Sequence, residues 1–175
     1  MLHRFSRDYW VETLHLKPHP EGGFFHETYR SEETLASDML PSRFKGLRNL
    51  GTAIYFMLTA GNFSAFHRLE ADEIWHFYDG DWIEVHFIYP SGQYERHLVG
   101  IQPEKGAFPQ LVIPRHVWFA AQTLGDQAMD GFSLIGCTVA PGFAFEDFEL
   151  AERQMLMDQF PDHTSLIERF TRETR

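Results

Sequence analysis

The chain has little of several features that mark secreted, membrane or multidomain proteins. Its 175 residues contain one cysteine, Cys137, so no disulfide can form within the chain, and a cytoplasmic location is expected. No run approaches the roughly 20 apolar residues of a membrane helix, and the N-terminal stretch lacks the pattern of a signal peptide. No repeat or low-complexity segment is present. We therefore expect one domain over residues 1–175, without membrane association.

Positive charge is also scarce. The chain has 25 Asp and Glu against 15 Lys and Arg, which gives a formal net charge of −10. Nucleic-acid binding depends on Lys and Arg that neutralise phosphates. Because the basic residues here are few and scattered, we expect no nucleic-acid partner.

Aromatic residues, in contrast, are plentiful. They make up 15% of the chain, with 17 Phe, and aromatic rings contribute large buried areas to cores. From Gly51 onward, short apolar or alternating runs recur about every ten residues, with turn residues between them. This pattern predicts an all-β, antiparallel sandwich or barrel, with a β core at about residues 20–140.

Helical patterns flank the β core. Ser6 is a candidate N-cap, and the apolar residues after it recur at helical spacing until Pro18. After Gly142 the spacing predicts C-terminal helices over about residues 146–173, with the acidic residues of FEDFELAE at a helix start. Residues 31–50, with many Ser, Glu and Asp, are expected to form a long surface loop.

The stretch FSAFHRL places His67 on an otherwise apolar face, because side chains two apart in a strand lie on the same side. On the following strand, EIWHFYDG, Glu73 shares a face with Trp75 and Phe77. A turn between the strands can bring His67 and Glu73 together inside a barrel, where a buried carboxylate needs a partner. The sequence therefore predicts a catalytic pair, with His67 as acid/base and Glu73 orienting it.

This stretch resembles the first motif of the cupin superfamily: Gly, five residues, His, one residue, His, three or four residues, Glu, six residues, Gly. Four positions are matched by Gly61, His67, Glu73 and Gly80, and Leu69 replaces the second histidine.

The second cupin motif places Pro, then Gly, then a metal-binding His after a strand. In VIPRHVWFAA, Pro114 is in register, but His116 stands at the glycine position and Phe119 at the histidine position.

Three longer segments, HPEGGFFHETYRS, SAFHRLEADEIWHFYDGD and CTVAPGFAFEDFELA, resemble the signature stretches of a little-characterised family of small single-domain cupins. The resemblance covers residues 19–151. It implies a jelly-roll β-barrel with one open end and a homodimer, and it implies no particular activity.

Metal binding is not expected from these residues. A catalytic zinc or non-haem iron site needs three protein ligands. The cupin positions supply only His67 and Glu73, because Leu69 and Phe119 cannot coordinate a metal, and His76 faces away from the cavity unless a bulge turns the strand. We therefore predict no metal and no other cofactor.

A small-molecule ligand is expected in an aromatic cavity around His67 and Glu73. The predicted lining residues are Leu69, Trp75, Phe77, Trp118, Phe119, Glu27 and Tyr29.

Several functions remain open at this point. One is a metal-independent isomerase, epimerase or lyase that acts on a small polar or carbohydrate-like molecule. Others are a non-catalytic metabolite-binding protein and a structural or interaction module. The strand FFHETYR also resembles the N-terminal strand of sugar-nucleotide 3,5-epimerases. The sequence shows no clear basic cluster for a nucleotide diphosphate, and the candidates to contribute to one are Arg30, Arg68 and Arg115.

Overall fold

The computed structural model describes residues 5–172 and consists mainly of β-strands. In chain order the strands are β1 (Lys17–Pro18), β2 (Phe24–Arg30), β3 (Thr34–Leu35), β4 (Arg48–Asn49), β5 (Thr52–Thr59), β6 (Phe63–Leu69), β7 (Glu73–Gly80), β8 (Ile83–Ile88), β9 (Tyr94–Val99), β10 (Ala107–Phe108), β11 (Gln110–Ile113), β12 (Trp118–Thr123), β13 (Phe132–Val139) and β14 (Phe148–Leu150). The helices are α1 (Arg7–Thr13), α2 (Arg153–Gln159) and α3 (Thr164–Arg169).

Two six-stranded sheets make up the barrel. Their strand orders are β1-β2-β5-β13-β7-β11 and β10-β9-β8-β12-β6-β14, and β3 pairs with β4 separately. The pairings are antiparallel except for the short β9–β10 contact. The predicted antiparallel cupin jelly roll with terminal helices is therefore confirmed. The strands extend from Lys17 to Leu150, slightly beyond the predicted core.

The main core lies between the inner faces of the two sheets. It contains large side chains that are at most 1% exposed, contributed by both sheets: Phe56, Trp75, Phe87, Phe119 and Ile135. Burying each such side chain stabilises the fold by about 1.5–3 kcal/mol. The alternation of each strand thus explains how the sheets pack.

A second apolar cluster covers the outer face of the β6-containing sheet. Phe66 and Trp118 pack there against Phe160, Ile167 and Phe170 of the C-terminal helical region. The C-terminal helices therefore act as a cover for one sheet.

The predicted helix start at residues 146–149 is wrong. This segment is a 3-10 turn followed by β14, which pairs with β6, and α2 begins only at Arg153, with Glu152 as its N-cap. The reason is a tertiary contact: the guanidinium of Arg48 donates two hydrogen bonds, of 2.6 and 2.7 Å, to the carboxylate of buried Asp147.

The Arg48–Asp147 contact also shows that residues 31–50 do not form the predicted surface loop. Arg48 is 4% exposed, and Leu40 and Phe44 are also buried. The segment is thus packed onto the barrel through a short two-stranded ribbon rather than lying free on the surface.

Parts of three sequence-based predictions lie outside the described residues. The signal-peptide and single-domain predictions include residues 1–4, and the helix and single-domain predictions include residues at 173–175. Within the part of the chain that the structure describes, no helix is long and apolar enough to cross a membrane.

Candidate functional site

A cavity of about 210 Å³ lies where β6 and the segment around β14 face the sheet that contains β2, β5, β13 and β7. Its walls are largely aromatic, formed by Phe25, Phe56, Trp75, Phe143, Phe145 and Phe148. Ionisable side chains are gathered in the same space: His19, Glu21, Glu27, Arg30, His67 and Glu73. An apolar cavity with a few convergent polar groups is typical of a small-molecule site.

The HPEGG turn between β1 and β2 delivers two of these polar residues, His19 and Glu21. Gly22 has a φ of 117°, and a Cβ at this position would collide with the carbonyl oxygen of Phe63. Only glycine permits this conformation and this close approach to β6. The turn is held there by a 2.9 Å hydrogen bond from the Ala65 amide to the Glu21 carbonyl.

His67 is held by acceptors at both ring nitrogens. Its Nε2 lies 3.0 Å from Oε2 of Glu21, and its Nδ1 lies 2.7 Å from the carbonyl oxygen of Ala65. Because a carbonyl can only accept, Nδ1 carries a proton, and the carboxylate favours a second proton on Nε2. His67 is therefore an imidazolium that donates in both directions.

The electrostatics of Glu21 and His67 agree with this arrangement. Burial opposes the charged form of each group, but their mutual attraction and hydrogen bond outweigh it, so the pKa of His67 is raised and that of Glu21 is lowered. Ser64 also donates a 3.0 Å hydrogen bond to Oε1 of Glu21. The orienting carboxylate of His67 is therefore Glu21, and not Glu73 as the sequence suggested.

Glu73 behaves in the opposite way. It is 8% exposed, and burial, followed by repulsion from the Glu21 carboxylate, raises its pKa to about 7. The charge of His67 and the neighbouring Trp75 and Cys137 side chains offset only part of this rise. Among the described residues, Glu73 has no cationic partner within ion-pair distance. The cavity thus contains one carboxyl group that titrates near neutrality.

His19 is a neutral donor at the edge of the same cavity. Its Nδ1 accepts a 3.3 Å hydrogen bond from the Glu21 amide, which places the ring proton on Nε2. Burial lowers the pKa of His19 despite the nearby Glu21 carboxylate. Since Nε2–H has no hydrogen-bond acceptor among residues 5–172, it is available to a ligand.

The mouth of the cavity contains an ion pair between Glu27 and Arg30. Nε–H and Nη2–H of Arg30 donate to the two carboxylate oxygens of Glu27, at 2.9 and 2.7 Å. Nη1–H donates to Oδ1 of Asn49 at 2.9 Å and to the carbonyl of Phe143 at 3.0 Å. The guanidinium is therefore fixed on several sides.

The structure brings five of the predicted site residues to the cavity lining: His67, Glu73, Leu69, Trp75 and Glu27. Phe119 lies behind His67, with ring centroids 3.9 Å apart, and supports it without lining the cavity. Whether any of these residues binds a ligand stays a prediction.

Three other predicted lining residues lie elsewhere. Trp118 adjoins Phe119 in β12, so it faces the opposite side of the sheet and packs under the C-terminal helices. Phe77 faces inward but packs in the core farther along β7. Tyr29 is 56% exposed, because the register shifts between Glu27 and Tyr29 and this bulge breaks the expected alternation.

Sequence reasoning missed His19 and Glu21. It identified HPEGG as a turn, but the pairing of Glu21 with His67 joins segments that are far apart in the chain. The available signal was a His and a Glu in a double-glycine turn directly before an inward-facing strand.

The residues present do not fit the metal that the cupin motif positions bind. Both nitrogens of His67 are engaged by protein acceptors, and Leu69 and Phe119 occupy two ligand positions. His76 faces away from the cavity, where it contacts Gln110 and Thr138. Within residues 5–172, no group of three or more His, Cys, Asp or Glu side chains is arranged to hold a metal ion.

His116 stands at the glycine position of the second cupin motif. Its φ is 66°, in the left-handed region that favours glycine. A residue other than glycine thus has a left-handed backbone at the glycine position, and Phe119 stands at the position of the metal-binding histidine.

Comparisons with known proteins agree with this fold. The family described as Cupin superfamily (DUF985) matches residues 8–151. An uncharacterised protein of Saccharomyces cerevisiae is 33% identical over 143 residues, which cover 78% of this chain and 71% of that protein.

Two solved structures are similar over nearly their full length. A protein from Shewanella oneidensis is 36% identical, with a TM-score of 0.84 and coverage of 97% of this chain and 99% of that one. A hypothetical protein from Leishmania major is 32% identical, with a TM-score of 0.86 and coverage of 97% and 100%. The chain therefore belongs to the Cupin superfamily (DUF985) family.

Proposed function

We propose that this protein is an isomerase that moves a proton between neighbouring carbons of a small hydroxy-carbonyl compound, with Glu73 as the acid/base group. One observation carries the proposal. His67 is turned towards Glu21, which leaves Glu73 in the same apolar cavity without a cationic partner. A carboxyl group with a pKa of about 7 can both take up and release a proton near neutral pH.

The reaction would proceed through an enediol. The Glu73 carboxylate removes a proton from the carbon next to the carbonyl, and the electron pair moves onto the carbonyl oxygen. Nε2–H of His19 can donate to that oxygen, and a neutral imidazole is well matched to this task. Glu73 then returns its proton to the neighbouring carbon, and the hydroxyl proton passes between the two adjacent oxygens.

The Glu21–His67 pair supports this chemistry without exchanging protons with the substrate. The negative charge of Glu21 helps to raise the pKa of Glu73, and His67 holds Glu21 in its charged form. This reverses the roles expected from the sequence, in which His67 was the acid/base and Glu73 the orienting group.

The geometry favours an isomerase over an epimerase. Epimerisation requires protonation from the face opposite to the one that lost its proton, and therefore a second acid. In the cavity, His67 is committed to two protein acceptors, so Glu73 is the group suited to returning the proton on the same face. The cavity is also smaller than the roughly 300–1,000 Å³ of sites for drug-sized ligands, which supports a small metabolite.

Sugar-nucleotide chemistry is disfavoured by the positions of the three candidate arginines. Arg30 is bound to Glu27 at the cavity mouth. Arg68 pairs with Glu149 on the outer face, 4.6 Å from the Trp118 ring. Arg115 is exposed and does not line the cavity.

Proton exchange with solvent provides the test. Small hydroxy-aldehydes and hydroxy-ketones would be incubated with the protein in D₂O, and loss of the proton next to the carbonyl would be followed by NMR. We expect exchange with at least one compound, and a loss of at least about 100-fold in Glu73→Gln with binding retained. Glu149→Gln, which changes an exposed carboxylate outside the cavity, is the matched control.

The outcomes separate the candidate functions. Exchange that survives Glu73→Gln would contradict the assignment of Glu73. Saturable binding without exchange would instead support a metabolite-binding protein. His67→Ala adds a check: a supporting role predicts a reduced exchange rate rather than its loss, because Glu73 remains in place.

A further inference from the structure

The cavity contains one guanidinium among its described lining residues, that of Arg30, and no lysine. Its five N–H groups are largely committed, to both oxygens of Glu27, to Asn49 and to the Phe143 carbonyl. A bidentate guanidinium–carboxylate pair has the geometry that a phosphate or carboxylate ligand would otherwise use. Glu27 therefore occupies the position of an anionic ligand.

The remaining charged groups in the cavity offer no other positive charge that could bind an anionic ligand in place of Arg30. The positive charge of His67 is cancelled by Glu21, 3.0 Å away. Glu73 adds no charge when it is protonated and a negative charge when it is not. An anion that entered the cavity would thus meet no unpaired positive charge.

The ion pair at the mouth follows from the local backbone. Residues three apart on a regular strand face opposite ways, but the bulge between Glu27 and Tyr29 places Glu27 and Arg30 on the same side. Asn49, which accepts from Arg30, is itself fixed by a 2.7 Å hydrogen bond to the Ser31 carbonyl. The pair is therefore held in place rather than formed by two freely moving surface side chains.

We infer that Glu27 sets the charge selectivity of the cavity: by holding Arg30, it makes the cavity a site for uncharged hydroxy-carbonyl compounds and excludes phosphate esters and carboxylates. The inference rests on the proposed function for the identity of the ligand site. It does not depend on whether the bound compound is turned over.

The test replaces Glu27 by Gln, which keeps the shape of the side chain and removes its charge. Binding of glycerol 3-phosphate and inorganic phosphate would be measured by ³¹P NMR, and binding of glycerol, the uncharged reference, by ¹H NMR. We expect no saturable binding of either phosphate to the wild-type protein, and an affinity at least about fivefold higher in Glu27→Gln, since a half-exposed guanidinium–anion contact contributes modestly. The double variant Glu27→Gln, Arg30→Gln should lose this gain.

Glu149→Gln is the matched control, because it frees Arg68 from an ion pair of the same 2.7 Å length outside the cavity. It should not increase phosphate binding. Phosphate binding to the wild-type protein that equals that of Glu27→Gln would overturn the inference, as would the absence of any gain in Glu27→Gln. Both Glu27 and Arg30 are 38% exposed, so the variant is expected to fold.

The two proposals fail in different ways. If no compound exchanges protons but the phosphate results are as expected, the isomerase proposal fails and the charge selectivity stands. If phosphate esters bind and exchange in the wild-type protein while their uncharged counterparts do not, the charge selectivity fails and the isomerase proposal stands.

Discussion

Replacing Glu73 by Gln should stabilise the protein at pH 8 and have a much smaller effect at pH 5. The pKa of Glu73 rises from its ordinary 4.5 to about 7 in the folded protein. Each pKa unit corresponds to roughly 1.36 kcal/mol, so ionised Glu73 costs the folded state about 3 kcal/mol relative to the unfolded chain. Between pH 4.5 and 7 the folded protein holds a proton that the unfolded chain has lost, so the free energy of unfolding falls as the pH rises through this window.

Glutamine has nearly the size of glutamate and cannot ionise. Any constant difference in packing cancels when the variant is compared with the wild type at two pH values. The stability gained by Glu73→Gln should therefore increase by about 2–3 kcal/mol between pH 5 and pH 8. Urea unfolding followed by tryptophan fluorescence, at one fixed protein concentration, measures this difference.

Glu149→Gln serves again as the control, and its effect should not change with pH by more than about 0.5 kcal/mol, because Glu149 is exposed. If Glu73→Gln also gives the same stability difference at pH 5 and pH 8, then Glu73 ionises normally and the reasoning is refuted.

Three further predictions concern the Glu21–His67 ion pair, the open edge of β2 and the incomplete set of metal ligands. Glu21→Gln should lower the free energy of unfolding at pH 7 by about 3 kcal/mol, because His67 loses a buried partner; denaturant unfolding giving less than about 1 kcal/mol would contradict the pair. Light scattering at micromolar concentration should give twice the mass of one chain. The reason is that β1 pairs only with Phe24 and Phe25, which leaves the rest of the β2 edge for a second copy to cover. A monomeric mass would count against this homodimer. Metal analysis of the purified protein should find less than about 0.1 equivalent of transition metal per chain, and near-stoichiometric metal that disappears in His67→Ala would show that the ligand set was misjudged.

The barrel could be predicted because its signals are local. Alternating runs and turn residues recur along the chain, and each strand needs only its own pattern to be recognised. The N-cap of α1 is equally local, and Ser6 accepts a 3.1 Å hydrogen bond from the Tyr9 amide as predicted. Residues 146–149 failed for the opposite reason, because Asp147 is bound to Arg48, which lies far away in the sequence.

The site, too, could be predicted only where its signals are local. Strand alternation placed His67 and Glu73 inside the barrel, and both line the cavity. Alternation could not reveal that Glu21 reaches His67 through a double-glycine turn, because that contact depends on how the turn packs against β6. Nor could it place Tyr29, since a bulge of one residue reverses the face of every side chain that follows.

Two buried glutamates of one cavity should titrate on opposite sides of their ordinary pKa. A ¹³C NMR titration of the side-chain carboxyl groups, with the two signals assigned from Glu73→Gln and Glu21→Gln, tests it most directly. We expect a midpoint of about 7 for Glu73 and a lowered pKa for Glu21. A Glu73 signal that titrates near 4.5, or a Glu21 signal that titrates above Glu73, would refute this assignment of the two carboxyl groups.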